Sequence, residues 1–218
     1  GFQVLTRQTI ITASDCTGHG VPGALMSMIG SNLLNEIVFM RGITDANEIL
    51  FALSHGVRSF LKQDESKSKD GMDMALCMID WDARKLYFSG AKNPLIYIQN
   101  GEVVEIKGDK KSIGGAATTA KEQKDDSKFA LHTIDLTNTT HFYMMSDGYE
   151  DQFGGLEGKK FMRKNLRELI VKIHHLSMEE QHVILKSTIM DWMKVGRQSQ
   201  IDDILVVGFR IDELNPYK

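Results

Sequence analysis

Two hydrophobic rhythms exchange along this chain. β-Branched residues dominate from 4 to 13, the mark of a strand. Pro22-Gly23 opens a run over 24–40 in which Leu25, Met28, Ile29, Leu33, Ile37 and Met40 recur at helical spacing. Thr44-Asp45 is a helix-start signal, and Ile49, Leu50, Leu53, Val57, Phe60 and Leu61 carry the same period to Lys62. Short runs then predict strands over 74–80, 85–90, 95–99 and 102–107, with Asn100-Gly101 as a hairpin turn. The stretch 108–126 is polar, with one ordered turn expected near Ile113-Gly114-Gly115. Strands return over 129–136 and 142–145, amphipathic helices follow over 161–173 and 178–192, and a last strand spans 204–211. No repeat and no proline-rich linker divides the chain. One α+β domain over residues 1–218, with antiparallel sheets and two helix pairs, is the expected architecture.

Composition narrows the function. With 26 basic against 29 acidic residues the formal charge is −3, which attracts neither nucleic acid nor an anionic membrane surface. The charged clusters over 62–73 and 121–128 mix both signs and read as solvated loops. Cys16 and Cys77 form no CxxC, zinc or disulfide spacing, which fits a reducing cytoplasm. No signal peptide and no run apolar enough to span a bilayer is expected, and hence no direct membrane contact. The chain opens at Gly1-Phe2-Gln3 without an initiator methionine, so it reads as part of a longer protein that can itself carry a membrane-anchored sensor.

Three separated fragments carry the chemistry: Asp15-Cys16-Thr17-Gly18-His19-Gly20, Ser146-Asp147-Gly148-Tyr149 and Asp202-Asp203-Ile204-Leu205. Each sets a carboxylate beside an apolar, strand-like run, where a charge is costly unless something offsets it. None contains Lys or Arg, so a hard divalent cation held by oxygen ligands is the natural counter-charge. Gly18 and Gly20 allow either anion binding at the following helix or a backbone carbonyl, such as that of Cys16, beside a metal. Asp202 and Asp203, opening a buried strand, would repel each other and lose hydration, costs that a cation offsets. Plain turn chemistry is the competing reading of each fragment alone. Neither Gly18 nor Gly20 is followed by the Lys of a phosphate-binding loop, and Cys16 has no nearby Arg as a cysteine phosphatase requires. Together the three fragments point to a metal-dependent hydrolase.

At these residues the chain resembles the metal-dependent serine/threonine phosphatases of the PPM (PP2C-like) family, in its bacterial SpoIIE/RsbU-type branch. The resemblance rests on residues 15–30, Asp70-Gly-Met-Asp-Met-Ala75, Gly90-Ala-Lys-Asn-Pro-Leu95, Ser146 to Gly155 and Asp202-Asp203, in that order. It implies a β-sandwich of two antiparallel sheets flanked by helix pairs, in α-β-β-α layers. It also implies two Mg2+ or Mn2+ ions and a weakly held third. On this resemblance Asp15 bridges the two metals, the Cys16 carbonyl binds one, and Asp147 and Asp202 are direct ligands. Asp203 supports or shares that role, and Asp70, with Asp73 as its rival, matches the third-metal carboxylate. His19 reads as structural rather than as the general acid.

The family's earlier acidic residue has no counterpart before Asp15, which predicts weaker metal binding by this stretch alone. The implied reaction is in-line attack on phosphorus by a metal-bridged hydroxide, with no protein nucleophile. The implied substrate is phosphoserine or phosphothreonine on a STAS-type (anti-sigma-factor-antagonist-like) partner in bacterial partner switching. The helix pair over 24–62 offers a homodimer contact, although core burial is expected for most of its apolar positions. The alternatives are a catalytically impaired sensing or binding module with this fold and, behind it, a two-metal phosphodiesterase.

Overall fold

The computed structural model describes residues 7–18, 20–63, 65, 69–115 and 128–213. The chain runs through strand β1 (Gln8–Cys16), helix α1 (Val21–Asn35), a π-helical segment (Glu36–Met40) and helix α2 (Ala46–Phe60). Strands β2 (Gly71–Asp80), β3 (Lys85–Ala91), β4 (Leu95–Gln99), β5 (Glu102–Ile106), β6 (Ile113–Gly114), β7 (His132–Asp135) and β8 (Thr140–Met145) follow. The single-turn helix α3 (Gly148–Asp151), strands β9 (Phe153–Gly154) and β10 (Lys159–Lys160), helices α4 (Arg163–Ile173) and α5 (Met178–Gly196) and strand β11 (Val206–Ile211) complete it. Two compact units result: Gly1–Pro94 with Lys107–Asp135, and Leu95–Ile106 with Leu136–Lys218.

The first unit is an antiparallel sheet in the order β1-β2-β3-β7, with β6 also paired to β2. Helix α2 is amphipathic as its sequence predicts, and it buries Ile49, Leu50, Leu53 and Val57 against Met72, Met74 and Leu76 of β2. Helix α1 differs from expectation. Only Met26 and Gly30 of it are buried, while Val21, Leu25 and Met28 are exposed, as are Phe39 and Met40 beyond it. Its side toward the core carries Met26 and Gly30 with the half-buried Ile29, Leu33 and Leu34, while the exposed Ser27, Ser31 and Asn35 line a cavity of about 330 Å3 with Thr12 and Ser14 of β1. Val21–Met40 is also, by length and composition alone, long and apolar enough to cross a membrane (mean hydropathy 1.2), contrary to the sequence expectation. Met26 and Ile37 nevertheless belong to the core of this unit.

The second unit is an antiparallel sheet in the order β11-β8-β4-β5. Asn100 and Gly101, at φ 52° and 78°, make the hairpin turn between β4 and β5. Leu166, Ile170 and Ile173 of α4 and Leu185 and Ile189 of α5 pack on Ile96, Ile98, Tyr143 and Met145 of the sheet. A capping box at Ser177 and Glu180 starts α5. Tyr143 donates to Gln181 Oε1 at 2.8 Å, and burial pushes its hydroxyl pKa up to about 12, so it stays a donor.

Candidate metal centre

In the first unit Asp15 is placed by strand register. Strand β1 extends through Asp15 and Cys16, beyond the stretch predicted, and pairs Asp15 with Asp73 and Cys16 with Met72. Strand β2 correspondingly begins at Gly71, inside a stretch read as solvated loop. Alternation puts Ser14, Cys16, Met72 and Met74 on the α1 side, since all four line the cavity under that helix. Asp15 and Asp73 therefore share the opposite face. The chain beyond Cys16 stays tied to β2, because Thr17 N donates to Gly71 O at 2.9 Å and Gly71 N donates to Thr17 Oγ1 at 2.8 Å. Gly23 is required where α1 begins: a Cβ there would lie 2.6 Å from Gly18 O. His19 lies outside the described residues.

The other candidates of this unit separate. The Asp73 carboxylate is engaged, with Lys92 Nζ at 3.3 Å and Ser112 Oγ donating at 2.6 Å. Asp70 is exposed just before β2, its carbonyl accepting from Gln63 Nε2 at 2.6 Å and Gly115 N at 3.1 Å. The Cys16 thiol accepts from the Ser27 hydroxyl at 3.5 Å, and Cys77 is buried, its thiol held protonated as burial pushes the pKa well up.

In the second unit two distant fragments are latched together. Buried Ser146 N donates to Leu205 O at 3.1 Å, its hydroxyl donates to Asp203 O at 3.1 Å, and Leu205 N donates back to that hydroxyl at 3.1 Å. Gly148 closes the latch, since a Cβ at that position would meet Asp203 O at 2.2 Å. Asp147 caps the start of α3, its carbonyl accepting from Asp151 N at 2.9 Å. Buried Gln152 holds the incoming chain, donating to Ser199 O at 3.0 Å and accepting from Ile201 N at 3.2 Å. Asp147, Asp202 and Asp203 are all exposed. This corrects the expectation that the Asp202-Asp203 pair opens a buried strand: β11 starts only at Val206, and Asp202 Oδ1 accepts the Asp203 N–H at 2.8 Å in a local turn.

The carboxylates thus come in pairs, Asp15 opposite Asp73 in one unit and Asp147 beside the Asp202-Asp203 segment in the other. Among the described residues no three His, Cys, Asp or Glu side chains gather within reach of one ion. Carboxylate and carbonyl oxygens, at turns fixed by the backbone, are the donor set that suits Mg2+ or Mn2+. A cavity of about 770 Å3 between α5 and β11 has a mostly apolar lining with none of these carboxylates, so it is not the ion site. Sequence reasoning missed Lys92, Ser112 and Gln152. Lys92 and Gln152 stand inside segments that carried the resemblance; Ser112, in a polar loop, left no signal.

A family described as Stage II sporulation protein E (SpoIIE) matches residues 6–212. No curated protein matches the chain. The SiaA-PP2C domain of Pseudomonas aeruginosa is 30% identical with a TM-score of 0.80, over 93% of this chain and 76% of that one. The PP2C phosphatase domain of SpoIIE from Bacillus subtilis, with a fragment of its regulatory domain, is 19% identical with a TM-score of 0.67, over 96% of this chain and 55% of that one. RsbX in complex with magnesium is 13% identical with a TM-score of 0.59, over 94% of this chain and 82% of that one. These last two show the fold alone, and it is the PP2C-like α+β fold with antiparallel sheets that the sequence implied. The family is metal-dependent, in keeping with the donor set. With its motifs in order and the match running over nearly its whole length, the chain is a PP2C-like protein serine/threonine phosphatase domain and belongs to the SpoIIE family.

Proposed function

We propose that this phosphatase removes phosphate from phosphoserine or phosphothreonine on a STAS-type partner protein in bacterial partner switching. In this reading Asp15, the Cys16 carbonyl, Asp147 and Asp202 hold two Mg2+ or Mn2+ ions, with Asp203 in support and Asp70 at a weaker third position. When bound, the cations make water a nucleophile near neutral pH and neutralise charge on the phosphoryl oxygens. The chain's own residues supply position. The β1–β2 register fixes Asp15, and the Ser146 hydroxyl with Gly148 fixes Asp147 against Asp203. Neither cysteine is placed to act as a nucleophile: Cys77 is buried, and Cys16 lies against Ser27 on the α1 side.

The observation that carries this reading is the latch of Ser146-Asp147-Gly148 onto Asp202-Asp203, which brings two of the three sequence fragments into one corner and leaves their carboxylates exposed. Asp15→Ala is expected to abolish Mn2+-dependent dephosphorylation of a phosphorylated STAS protein while the thermal midpoint stays near that of the parent. Substantial turnover by Asp15→Ala would sink the assignment. Hydrolysis of a phosphodiester in preference to the phosphoprotein, or a parent with no turnover at all, would replace it with one of the alternatives above.

A further inference from the structure

The acidic row of the first unit ends in a cation. Asp15 pairs with Asp73 and Met74 with Ala91, so Lys92, the residue after β3, closes the same row across three strands. The backbone that carries it is specialised. Lys92 has φ 58°, and Asn93 N donates to Ala91 O, two residues back, at 2.7 Å. That pattern is the strained γ-turn, and such conformations persist where the surroundings over-determine them. Here Lys92 N donates to Asp109 O and Asp109 N to Gly90 O, both at 2.8 Å. Gly90 and Gly108 wrap the turn so closely that a Cβ at 90 would meet Asn93 O at 2.5 Å and one at 108 would meet Lys92 C at 2.8 Å.

The ion pair itself does not account for this construction. The Lys92 and Asp73 side chains are 51% and 28% exposed, and pairs this wet contribute little to stability. A dianionic phosphate brought to a row of carboxylates needs a positive group there, and preorganised cations at developing charge are a large term in phosphoryl transfer. Lysine suits the task through three donors on a flexible stem. Ser112 keeps Asp73 anchored if the ammonium turns away. Beside it Asn93, 7% exposed, has a side-chain amide nitrogen with no partner among the described residues.

We propose that Lys92 is a substrate-contacting residue of this phosphatase, whose ammonium, resting on Asp73, transfers to the non-bridging oxygens of the phosphoryl group. The inference rests on the phosphatase reading above and adds a contact to it.

The test compares the parent chain with Lys92→Met and Lys92→Arg in Mg2+, by calorimetric titration of inorganic phosphate, Mg2+ titration and thermal melts, beside KM and kcat on a phosphoprotein. Lys92→Met should weaken phosphate binding about tenfold or more and raise KM, with Mg2+ affinity and melting unchanged, and Lys92→Arg should recover most of the loss. Unchanged phosphate affinity in Lys92→Met overturns the proposal. So does a loss that comes with a matching fall in melting temperature and Mg2+ affinity, because Lys92 would then only be holding the turn. A parent that binds phosphate through Lys92 yet turns over no phosphoprotein refutes the phosphatase reading and leaves this contact standing.

Discussion

The two units fix their carboxylates by different means. Asp15 sits near the end of a nine-residue strand, and its position is the sum of every pairing between β1 and β2. Asp147 and Asp202 sit on turns held together by a few contacts, among them one hydroxyl, one backbone bond, the Gln152 amide and the close approach of one glycine. A ladder spreads positional error over many weak bonds, whereas a latch concentrates it in a few residues. The first arrangement should tolerate damage to any single brace, and the second should not.

The strongest test of that contrast is Gly148→Ala. Its added methyl must displace the Asp203 carbonyl, an overpacking that costs roughly 1–3 kcal/mol, and an ångström of misplacement at the site should lower kcat about a hundredfold. Melting curves and steady-state assays would show both, and parent-like turnover would mean that the latch does not position the site. A paired comparison comes next. Ser146→Ala removes a buried hydroxyl that both donates and accepts, and should cost about 1–3 kcal/mol with a clear loss of turnover. Thr17→Val, at the exposed end of the ladder, should cost about 0.5–1.5 kcal/mol and leave kcat within a few-fold. Equal losses from the two would erase the distinction.

The smallest effect concerns pH. Burial first, then His174 and Arg210, lower the His141 pKa from 6.5, and Asp212 opposes them. The unfolded chain then binds the proton more readily than the folded one, so this contribution is complete above about pH 6.5 and is lost as pH falls towards the folded value. Hydrogen exchange should therefore rise in β8 and β11 before β1 and β2 on mild acidification, and His141→Gln should flatten that dependence. Simultaneous opening of both sheets would argue against it.

Much of this was legible in the sequence, for reasons that differ by element. Strands β3, β4 and β5 fall within a residue of where alternation and Asn100-Gly101 place them, because their signals are local. The ends of β1 and β2 were not legible. Ser14, Asp15 and Asp73 are polar, and only pairing between segments far apart in sequence makes them strand. Helix α1 misled for the opposite reason: its apolar spacing is helical, but spacing cannot say how much of a face will be covered, and here Ile29, Leu33 and Leu34 are only half-buried against the core while Val21, Leu25 and Met28 stay exposed. The single turn of α3 and the two-residue strands β6, β9 and β10 are too short to generate a period. Among the candidate residues, the carboxylates drew notice in the sequence because their type can hold a metal. The braces Ser112 and Gln152 did not, because a serine or glutamine becomes informative only once its hydrogen-bond partner is known.

The contact of Gly148 with the Asp203 carbonyl has a consequence for how such sequences drift over generations. Every codon change at that position that alters the residue adds a Cβ, so mutation offers it no intermediate step. Asp147, one residue earlier and exposed, meets no such barrier, and under the proposed function it is kept for catalysis. In a lineage released from turnover but still required to fold, the aspartate is expected to decay while the glycine persists. A relative that keeps the glycine without the aspartate would then bear the inherited mark of an enzyme turned silent.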